Sequence, residues 1–164
     1  MTASILVLTT GGTIDKAYFD ALSEYQVGDS QVSHLLRLAR VTFPFEVQEL
    51  LRKDSLDLTD EDRSIIAEHV KATASRRVII THGTDTMTQT AAALGDVGAR
   101  TVVLVGALAP ARFQDSDASF NLGMAFATAQ IALPGIYITM NGQVFAAAEV
   151  TKDRDRGQFV RSTG

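Results

Sequence analysis

The chain has 164 residues, a formal net charge of −4 and no cysteine. A domain of this length buries roughly 70% of the surface of its unfolded chain, so it can form a core without disulfides. The acidic balance argues against nucleic-acid binding, which normally needs a basic surface, and the lack of cysteine excludes thiol catalysis and thiolate metal sites.

Two further expectations concern membranes and metals. Residues 1–9 carry no basic segment and only a short apolar run, so neither a signal peptide nor a transmembrane helix is predicted, and we expect a cytoplasmic protein with no membrane partner. His34, His69 and His82 lack the spacing of metal ligands, so we predict neither a metal nor a cofactor.

The first apolar run, Ser4 to Thr9, predicts a strand that ends in the motif Thr10-Gly11-Gly12-Thr13-Ile14. A long polar connection over residues 15–30 follows, and connections of this length in compact domains are often lids or binding loops. Apolar residues at helical spacing over 32–39 then favour a short helix, and Phe45 to Leu50 favour a second strand.

The middle of the chain repeats this arrangement. A helix is predicted from about Thr59, with Asp62 placed for a capping box. The unbroken β-branched run 78–80 is typical of a strand that is covered on both faces in a parallel sheet. It leads into His82-Gly83-Thr84-Asp85-Thr86-Met87, after which a helical pattern reaches about Leu94.

The second half begins with a strand from Thr101 to Gly106 and a loop over 107–112. Ser116 or Asp117 can cap a helix that reaches about Ile131. The apolar residues of this helix that fit a 3.6-residue period include Met124, which we expect in the core; they are Phe120, Met124, Ala127 and Ile131.

The last predicted strands form a hairpin. Gly135 to Met140 is followed by Asn141-Gly142, which is a strong signal for a type I′ turn, so Gln143 to Ala147 should return antiparallel. Residues 149–164 are charged and lack a clear period, which usually indicates a solvated terminal segment. Because strand and helix patterns alternate without a linker, we predict a single α/β domain over 1–164.

Polar and glycine residues therefore follow two buried strands, where ligands bind in open α/β sheets. Either motif also has a plain structural interpretation. Thr84, Asp85 and Thr86 can simply cap the next helix, and Gly11-Gly12 alone suits a tight turn or a phosphate site equally well.

Together, residues 10–14 and 82–87 resemble the signature pair of the bacterial-type L-asparaginases, in order and in separation. The resemblance covers almost the whole chain but only the first of the two domains that the usual members have. It implies a flavodoxin-like three-layer α/β/α domain with a mainly parallel sheet and a C-terminal β-hairpin, similar to compact single-domain members. A truncated chain is the alternative.

The resemblance also implies catalytic roles. Thr13, just past the glycine turn, matches the nucleophile that forms the acyl-enzyme, and Tyr25 matches the tyrosine that accepts its proton. Thr84, Asp85 and Lys152 match a second group, in which the lysine returns to the strand end after the hairpin. From the residues alone, Thr13 can be a turn cap, Tyr25 a packing residue and Lys152 an exposed lysine of the tail.

The predicted substrate contacts surround these groups. Ser55 matches the serine that binds the substrate α-carboxylate, Asp85 and Thr84 bind the substrate, and main-chain groups of Gly12, Gly83 and Ala107 face the amide. Two departures from the family pattern weaken the match. Leu56 stands where a polar residue is usual, and Ala109 replaces the arginine before Pro110.

The leading hypothesis is therefore an amidohydrolase that converts L-asparagine to L-aspartate and ammonia and that forms a homo-oligomer, a dimer or a tetramer. Two alternatives stay open. One is the same reaction on glutamine, a D-amino acid or a peptide amide, and the other is a non-catalytic module that binds amino acids.

Overall fold

The computed structural model describes residues 3–19 and 24–163. The strands are β1 (Ile5–Gly11), β2 (Lys16–Phe19), β3 (Glu24–Val27), β4 (Phe45–Lys53), β5 (Arg77–Thr81), β6 (Thr101–Val105), β7 (Gly135–Met140), β8 (Gln143–Ala146), β9 (Val150–Asp153) and β10 (Gln158–Arg161). The helices are α1 (Val32–Leu38), α2 (Asp60–Ala72), α3 (Met87–Ala93) and α4 (Ala118–Ile131). In the part of the chain so described, no helix has the length and apolar character needed to cross a membrane.

A six-stranded sheet in the order β4-β1-β5-β6-β7-β8 forms the centre of the molecule. Its first five strands are parallel, and β8 pairs antiparallel with β7. The parallel strands follow the flavodoxin-like order, with the first strand of the chain between the second and the third. The predicted α/β fold with a mainly parallel sheet is confirmed.

The sheet separates two apolar cores, so the domain has three layers. Helices α2 and α3 pack on one face, and α1 and α4 pack on the other. Along β5, Val78 and Ile80 point into the first core and Ile79 points into the second, and all three are fully buried. This double burial explains the unbroken apolar run, and it makes the strand a rigid support for the residues that follow it.

The start of α2 is the capping box that the sequence predicts. Thr59 Oγ1 accepts a hydrogen bond of 3.2 Å from the Asp62 amide, and Asp62 Oδ2 accepts one of 3.0 Å from the Thr59 amide. Lys53 Nζ also donates to Asp62 at 2.8 Å, and this bond lowers the pKa of the Asp62 carboxyl. The helix is thereby tied to the end of β4.

Helix α4 turns a different face to the core from the predicted one. The buried residues are Ala118, Asn121, Leu122, Ala125, Phe126, Thr128 and Ala129. Phe120 and Ile131, which were expected on the core face with Met124 and Ala127, have 64% and 85% of their surface exposed. The prediction is wrong because this helix is apolar all round, so two faces fit the helical period equally well.

Hairpins account for the remaining strands. The turn at Asn141 and Gly142 has positive φ at both residues, 53° and 68°, as a type I′ turn requires, and the β7–β8 hairpin is confirmed. The long polar connection 15–30 contains the antiparallel pair β2–β3, although residues 20–23 lie outside the described residues. The charged terminal segment, which its charge pattern alone places in solvent and which the family resemblance returns to the strand end, forms the antiparallel pair β9–β10.

Candidate active site

The glycines of the two motifs meet at the carboxyl ends of β1 and β5. Gly12 has φ of +88°, and a Cβ on it would lie 2.6 Å from the Gly83 Cα, so a side chain there is excluded by both conformation and space. Its N–H donates to the Lys53 carbonyl at 2.9 Å, which holds β1 against the end of β4. The two motifs therefore form one continuous surface around Gly12 and Gly83, which we call the glycine floor.

Ser55 lies on the far side of Gly83. A Cβ on Gly83 would come within 2.6 Å of the Ser55 Oγ, so this glycine too must lack a side chain. Ser55 is fully buried, and its Oγ has no hydrogen-bond partner within residues 3–19 and 24–163. Its carbonyl accepts a 2.8 Å bond from Thr86 Oγ1, whereas the neighbouring Leu56 is 65% exposed.

Lys152 lies on β9, far along the chain from the Gly83 loop but in direct contact with it. Its Nζ donates to Thr84 Oγ1 at 2.7 Å and to Asp85 Oδ1 at 2.8 Å, and only 16% of the side chain is exposed. The β9–β10 hairpin carries Lys152 there because Phe159, opposite Lys152 in the pair, is buried in the core. The interpretation of this segment as a solvated tail is wrong.

A second cation, Arg154, also reaches Asp85. Its Nη2 donates to the Asp85 carbonyl at 3.3 Å, and its Nε lies 3.8 Å from Asp85 Oδ1. The Arg154 side chain is 63% exposed, so this ion pair is a weak one. Sequence reasoning missed this residue because it placed Arg154 among the charges of the tail.

His82, the first residue of the second motif, has a structural role. It is fully buried, and burial lowers its pKa to about 4, so the ring is neutral near pH 7. Its Nδ1 lies 2.6 Å from the Gly83 carbonyl oxygen. Because a carbonyl oxygen can only accept a hydrogen bond, Nδ1 carries the proton. The unprotonated Nε2 therefore accepts a hydrogen bond from Thr90 Oγ1 at 2.6 Å. The ring thus fixes Gly83 to the start of α3.

Thr13 and Tyr25, predicted to act together, are not hydrogen-bonded to each other in the described part of the chain. Thr13 opens the short 3₁₀ turn Thr13–Asp15 directly after Gly12, and it is partly exposed. Tyr25 is 51% exposed, and its ring packs against Tyr18 at 5.3 Å and Phe113 at 5.8 Å between centroids. In the described part of the chain no hydrogen bond joins the Tyr25 and Thr13 hydroxyls.

Asp15 is a buried carboxylate that sequence reasoning missed. Its Oδ1 accepts from the Gln31 amide at 2.9 Å, and its carbonyl accepts from the Gly28 amide at 2.8 Å, so it holds the base of the β2–β3 hairpin. Burial raises the pKa of Asp15 to about 6. In the sequence, the only sign that Asp15 has a structural role is its position, two residues after Thr13 and directly before the hairpin.

The loop after β6 borders the floor. A Cβ on Gly106 would collide with the His82 carbonyl and would lie 3.2 Å from Thr84 Cγ2. The next residue, Ala107, is buried, and the amides of Leu108 and Ala109 each donate to Asp117 at 3.0 Å. Asp117 thus holds this loop instead of capping α4, and Ser116 Oγ accepts from the Ala118 amide at 3.0 Å.

The comparisons with known proteins agree with this geometry. The family "Asparaginase, N-terminal" matches residues 4–157. The chain is 30% identical to the L-asparaginase of Thermococcus kodakarensis, over 93% of this chain and 48% of that protein. It is 31% identical to a glutaminase-asparaginase of Acinetobacter glutaminasificans, over 91% and 49%.

The solved structure of the thermostable L-asparaginase from Thermococcus kodakarensis superposes with a TM-score of 0.85, covering 96% of this chain and 51% of that one. The chain thus spans about half the length of the relatives that it matches. The match runs through both glycine motifs and reaches beyond Lys152. The chain belongs to the asparaginase family and corresponds to its amino-terminal domain.

Proposed function

We propose that the chain is an amidohydrolase that cleaves the side-chain amide of L-asparagine to L-aspartate and ammonia. The observation that carries this proposal is the double contact of Lys152 Nζ with Thr84 Oγ1 and Asp85 Oδ1 beside the glycine floor. A module that only binds an amino acid needs a carboxylate and a hydroxyl, but it has little use for a lysine paired with a second threonine.

Substrate binding follows from the polar groups at the rim. Asp85 offers a carboxylate to the α-ammonium group. Ser55 Oγ is buried behind Gly83 and has no hydrogen-bond partner among the described residues, so it can donate to the α-carboxylate once the loop that covers it opens. A buried hydroxyl without a partner costs about 1–3 kcal/mol, so a ligand that pairs with it regains this free energy. In this orientation the side-chain amide lies over the floor of Gly12 and Gly83, toward Thr13.

In the reaction, Thr13 Oγ attacks the amide carbon, and its proton passes to the Tyr25 hydroxyl, which gives its own hydrogen to water. The oxyanion accepts hydrogen bonds from main-chain N–H groups that follow the two glycines, since the N–H of Gly12 already binds the Lys53 carbonyl. The C–N bond then breaks, ammonia leaves with a proton, and water hydrolyses the threonyl ester to L-aspartate.

Thr84 and Lys152 provide the proton path. Because Thr84 Oγ1 accepts a hydrogen bond from Lys152, its own hydrogen points elsewhere and can be passed to the leaving nitrogen or received from water. Asp85 holds the ammonium in place by its charge. This relay needs all three side chains, and none of the steps requires a metal ligand.

Ammonia release from L-asparagine and L-glutamine tests the proposal, with Thr13→Ala, Lys152→Ala and the exposed-lysine control Lys71→Ala. We expect Thr13→Ala to abolish turnover, Lys152→Ala to lower kcat by about 10²–10⁴ and Lys71→Ala to change nothing. A wild-type chain that binds L-aspartate but releases no ammonia would establish the binding module instead.

The position of Arg154 favours a second candidate, an amide substrate whose α-nitrogen is acylated, as in a peptide. Asp85 already contacts two cations, so a free α-ammonium gains less from it. Turnover of N-acetyl-L-asparagine relative to L-asparagine measures this preference. Arg154→Ala should shift the ratio toward L-asparagine through KM, and Arg156→Ala, whose cation pairs with Asp153, should leave it unchanged.

A further inference from the structure

An ion pair joins two segments that contribute to the candidate site but lie far apart in the sequence. Lys16, the first residue of β2, places its Nζ 2.7 Å from Asp54 Oδ2. Lys16 comes three residues after Thr13, and Asp54 directly precedes Ser55. The pair therefore connects the chain that leaves the candidate nucleophile to the turn that contains Ser55.

A main-chain contact joins the same two segments on the other side of Thr13. The Gly12 amide donates to the Lys53 carbonyl at 2.9 Å. Thr13 thus lies in a short stretch of chain that is attached at both ends, through Gly12 and through Lys16, to the residues that lead into Ser55. Together the two contacts set the separation between Thr13 and Ser55.

Asp54 uses both oxygens of its carboxylate. Oδ1 accepts a 3.2 Å hydrogen bond from the Leu56 amide and so caps the 3₁₀ turn Ser55–Asp57, while Oδ2 pairs with Lys16. The Lys16 and Asp54 side chains are 27% and 30% exposed, so the pair is partly shielded from solvent. Burial raises the pKa of Asp54, but the hydrogen bonds from Lys16 and from the Leu56 amide outweigh burial and hold this pKa below its usual range. The carboxylate is therefore charged near pH 7.

We propose that the Lys16–Asp54 ion pair fixes the separation of Thr13 and Ser55 and thereby selects L-asparagine over L-glutamine. The inference rests on the proposed function, in which Ser55 binds the substrate α-carboxylate and Thr13 attacks the side-chain amide. The two substrates differ by one methylene between these groups, so this separation decides which amide carbon meets the Thr13 hydroxyl. One methylene more or less in an enzyme pocket changes kcat/KM by about 10–200-fold. Lys16 and Asp54 are positioning residues, since they act through Thr13 and Ser55.

The partial exposure of the pair limits the size of the effect. Ion pairs near the surface contribute little, so loss of this pair should lower the ratio of kcat/KM for L-asparagine to that for L-glutamine about two- to fivefold. The loss should fall on L-asparagine, whose shorter side chain requires the closer approach of Thr13 to Ser55. The ratio does not depend on the fraction of enzyme that is folded, so a change in stability alone leaves it unchanged.

Ammonia release from the two amides tests the proposal, with Lys16→Met, Asp54→Asn and the double variant. Asp54→Asn keeps an acceptor for the Leu56 amide, so it removes the ion pair without removing the cap. Each single variant should lower the ratio two- to fivefold, and the double variant should lower it no further, because all three break the same contact. Lys16→Arg keeps the cation and should retain the wild-type ratio. Asp57→Ala, which removes an exposed carboxylate from the same turn, is the matched control and should also retain it.

The outcomes separate this proposal from the proposed function. A wild-type chain that releases ammonia, with a ratio unchanged in both single variants or lowered equally in Asp57→Ala, would overturn the role of the ion pair alone. If wild type releases no ammonia, the proposed function fails, and calorimetric titration with L-aspartate and L-glutamate, which differ by the same methylene, tests the ion pair instead. A preference for L-aspartate that weakens in Lys16→Met would support its role. Equal affinity of wild type for the two acids, or binding of neither, would overturn it.

Discussion

The two small hairpins outside the main sheet differ in how firmly they hold their candidate catalytic residue. The β9–β10 hairpin carries Lys152, whose ammonium has two partners in the site. Behind it, Phe159 is 1% exposed, and its amide donates to Asn141 Oδ1 at 2.7 Å. The arrangement of Lys152 is thus fixed by the fold before any substrate binds.

The β2–β3 hairpin carries Tyr25 and lacks such an anchor. Tyr18, Phe19 and Tyr25 are 51%, 40% and 51% exposed, so its described aromatic side chains lie mostly in solvent. What fixes it is its base, where Asp15 accepts the amide of Gln31 and binds Gly28 through its carbonyl. One half of the proposed machinery is therefore preformed, whereas in the other half no hydrogen bond joins Tyr25 to Thr13 among the described residues.

The largest expected effect comes from removing the anchor of the rigid hairpin. Phe159→Ala leaves a cavity in the core and should lower the free energy of unfolding by about 3–5 kcal/mol, measured by denaturant titration. Because Lys152 pairs directly with Phe159, activity should fall as well, even at denaturant concentrations far below the unfolding transition. Val160→Ala, on the same strand but partly exposed, should cost less than half as much; similar losses for both variants would show that the hairpin has no special anchor.

The next effect concerns the base of the β2–β3 hairpin and depends on pH. Burial raises the pKa of Asp15 to about 6 from 3.8, so the folded protein binds this proton more tightly than the unfolded chain does. The stability contributed by the protonated acid is therefore fully present below about pH 4 and is lost as pH rises through about 6. At 1.36 kcal/mol per pKa unit, the loss is on the order of 2–3 kcal/mol.

Asp15→Asn checks this sign, because the amide keeps an acceptor for the Gln31 amide but cannot ionise. The variant should gain stability over wild type between pH 4 and pH 7, as measured by unfolding at both values. Asp115→Asn, an exposed carboxylate, provides the control. If the difference between wild type and Asp15→Asn is the same at both pH values, Asp15 does not titrate in this range.

The floor of the site was predictable from sequence because its physical cause is local. A buried β-branched strand that ends in glycine and hydroxyl residues can only present them at the carboxyl edge of a parallel sheet, and Gly12, Gly83 and Ser55 do meet there. The contact of Lys152 with Thr84 could not be predicted from local sequence in this way. Periodicity indicated a solvated tail, and only the resemblance to a family gave the lysine its position.

Other features lay outside the reach of sequence reasoning for physical reasons. Asp15 and Arg154 matter through partners that the fold supplies, and their residue types alone suggest nothing more than surface charge. The core face of α4 was wrongly predicted because Leu122 and Phe126 fit a helical period as well as Phe120 and Met124 do. Because α4 has no charged residues, its sequence does not mark which face of the helix is buried and which is exposed.

The smallest expected effect tests whether the exposed hairpin takes part in chemistry at all. Tyr25→Phe removes one hydroxyl that is mostly in solvent, so stability should not change. If Tyr25 accepts the proton of Thr13 once substrate is bound, kcat for L-asparagine should fall about tenfold with KM little changed, a loss of about 1.4 kcal/mol in transition-state stabilisation.

Tyr18→Phe is a matched control, since Tyr18 lies opposite Tyr25 in the same hairpin and is equally exposed, at 51%. It should stay within twofold of wild type. Equal rates for the two variants would assign Tyr25 to aromatic packing with Tyr18 and Phe113. The proton of Thr13 would then have to pass toward Thr84 and Lys152, so that the preformed half of the site carries the whole reaction.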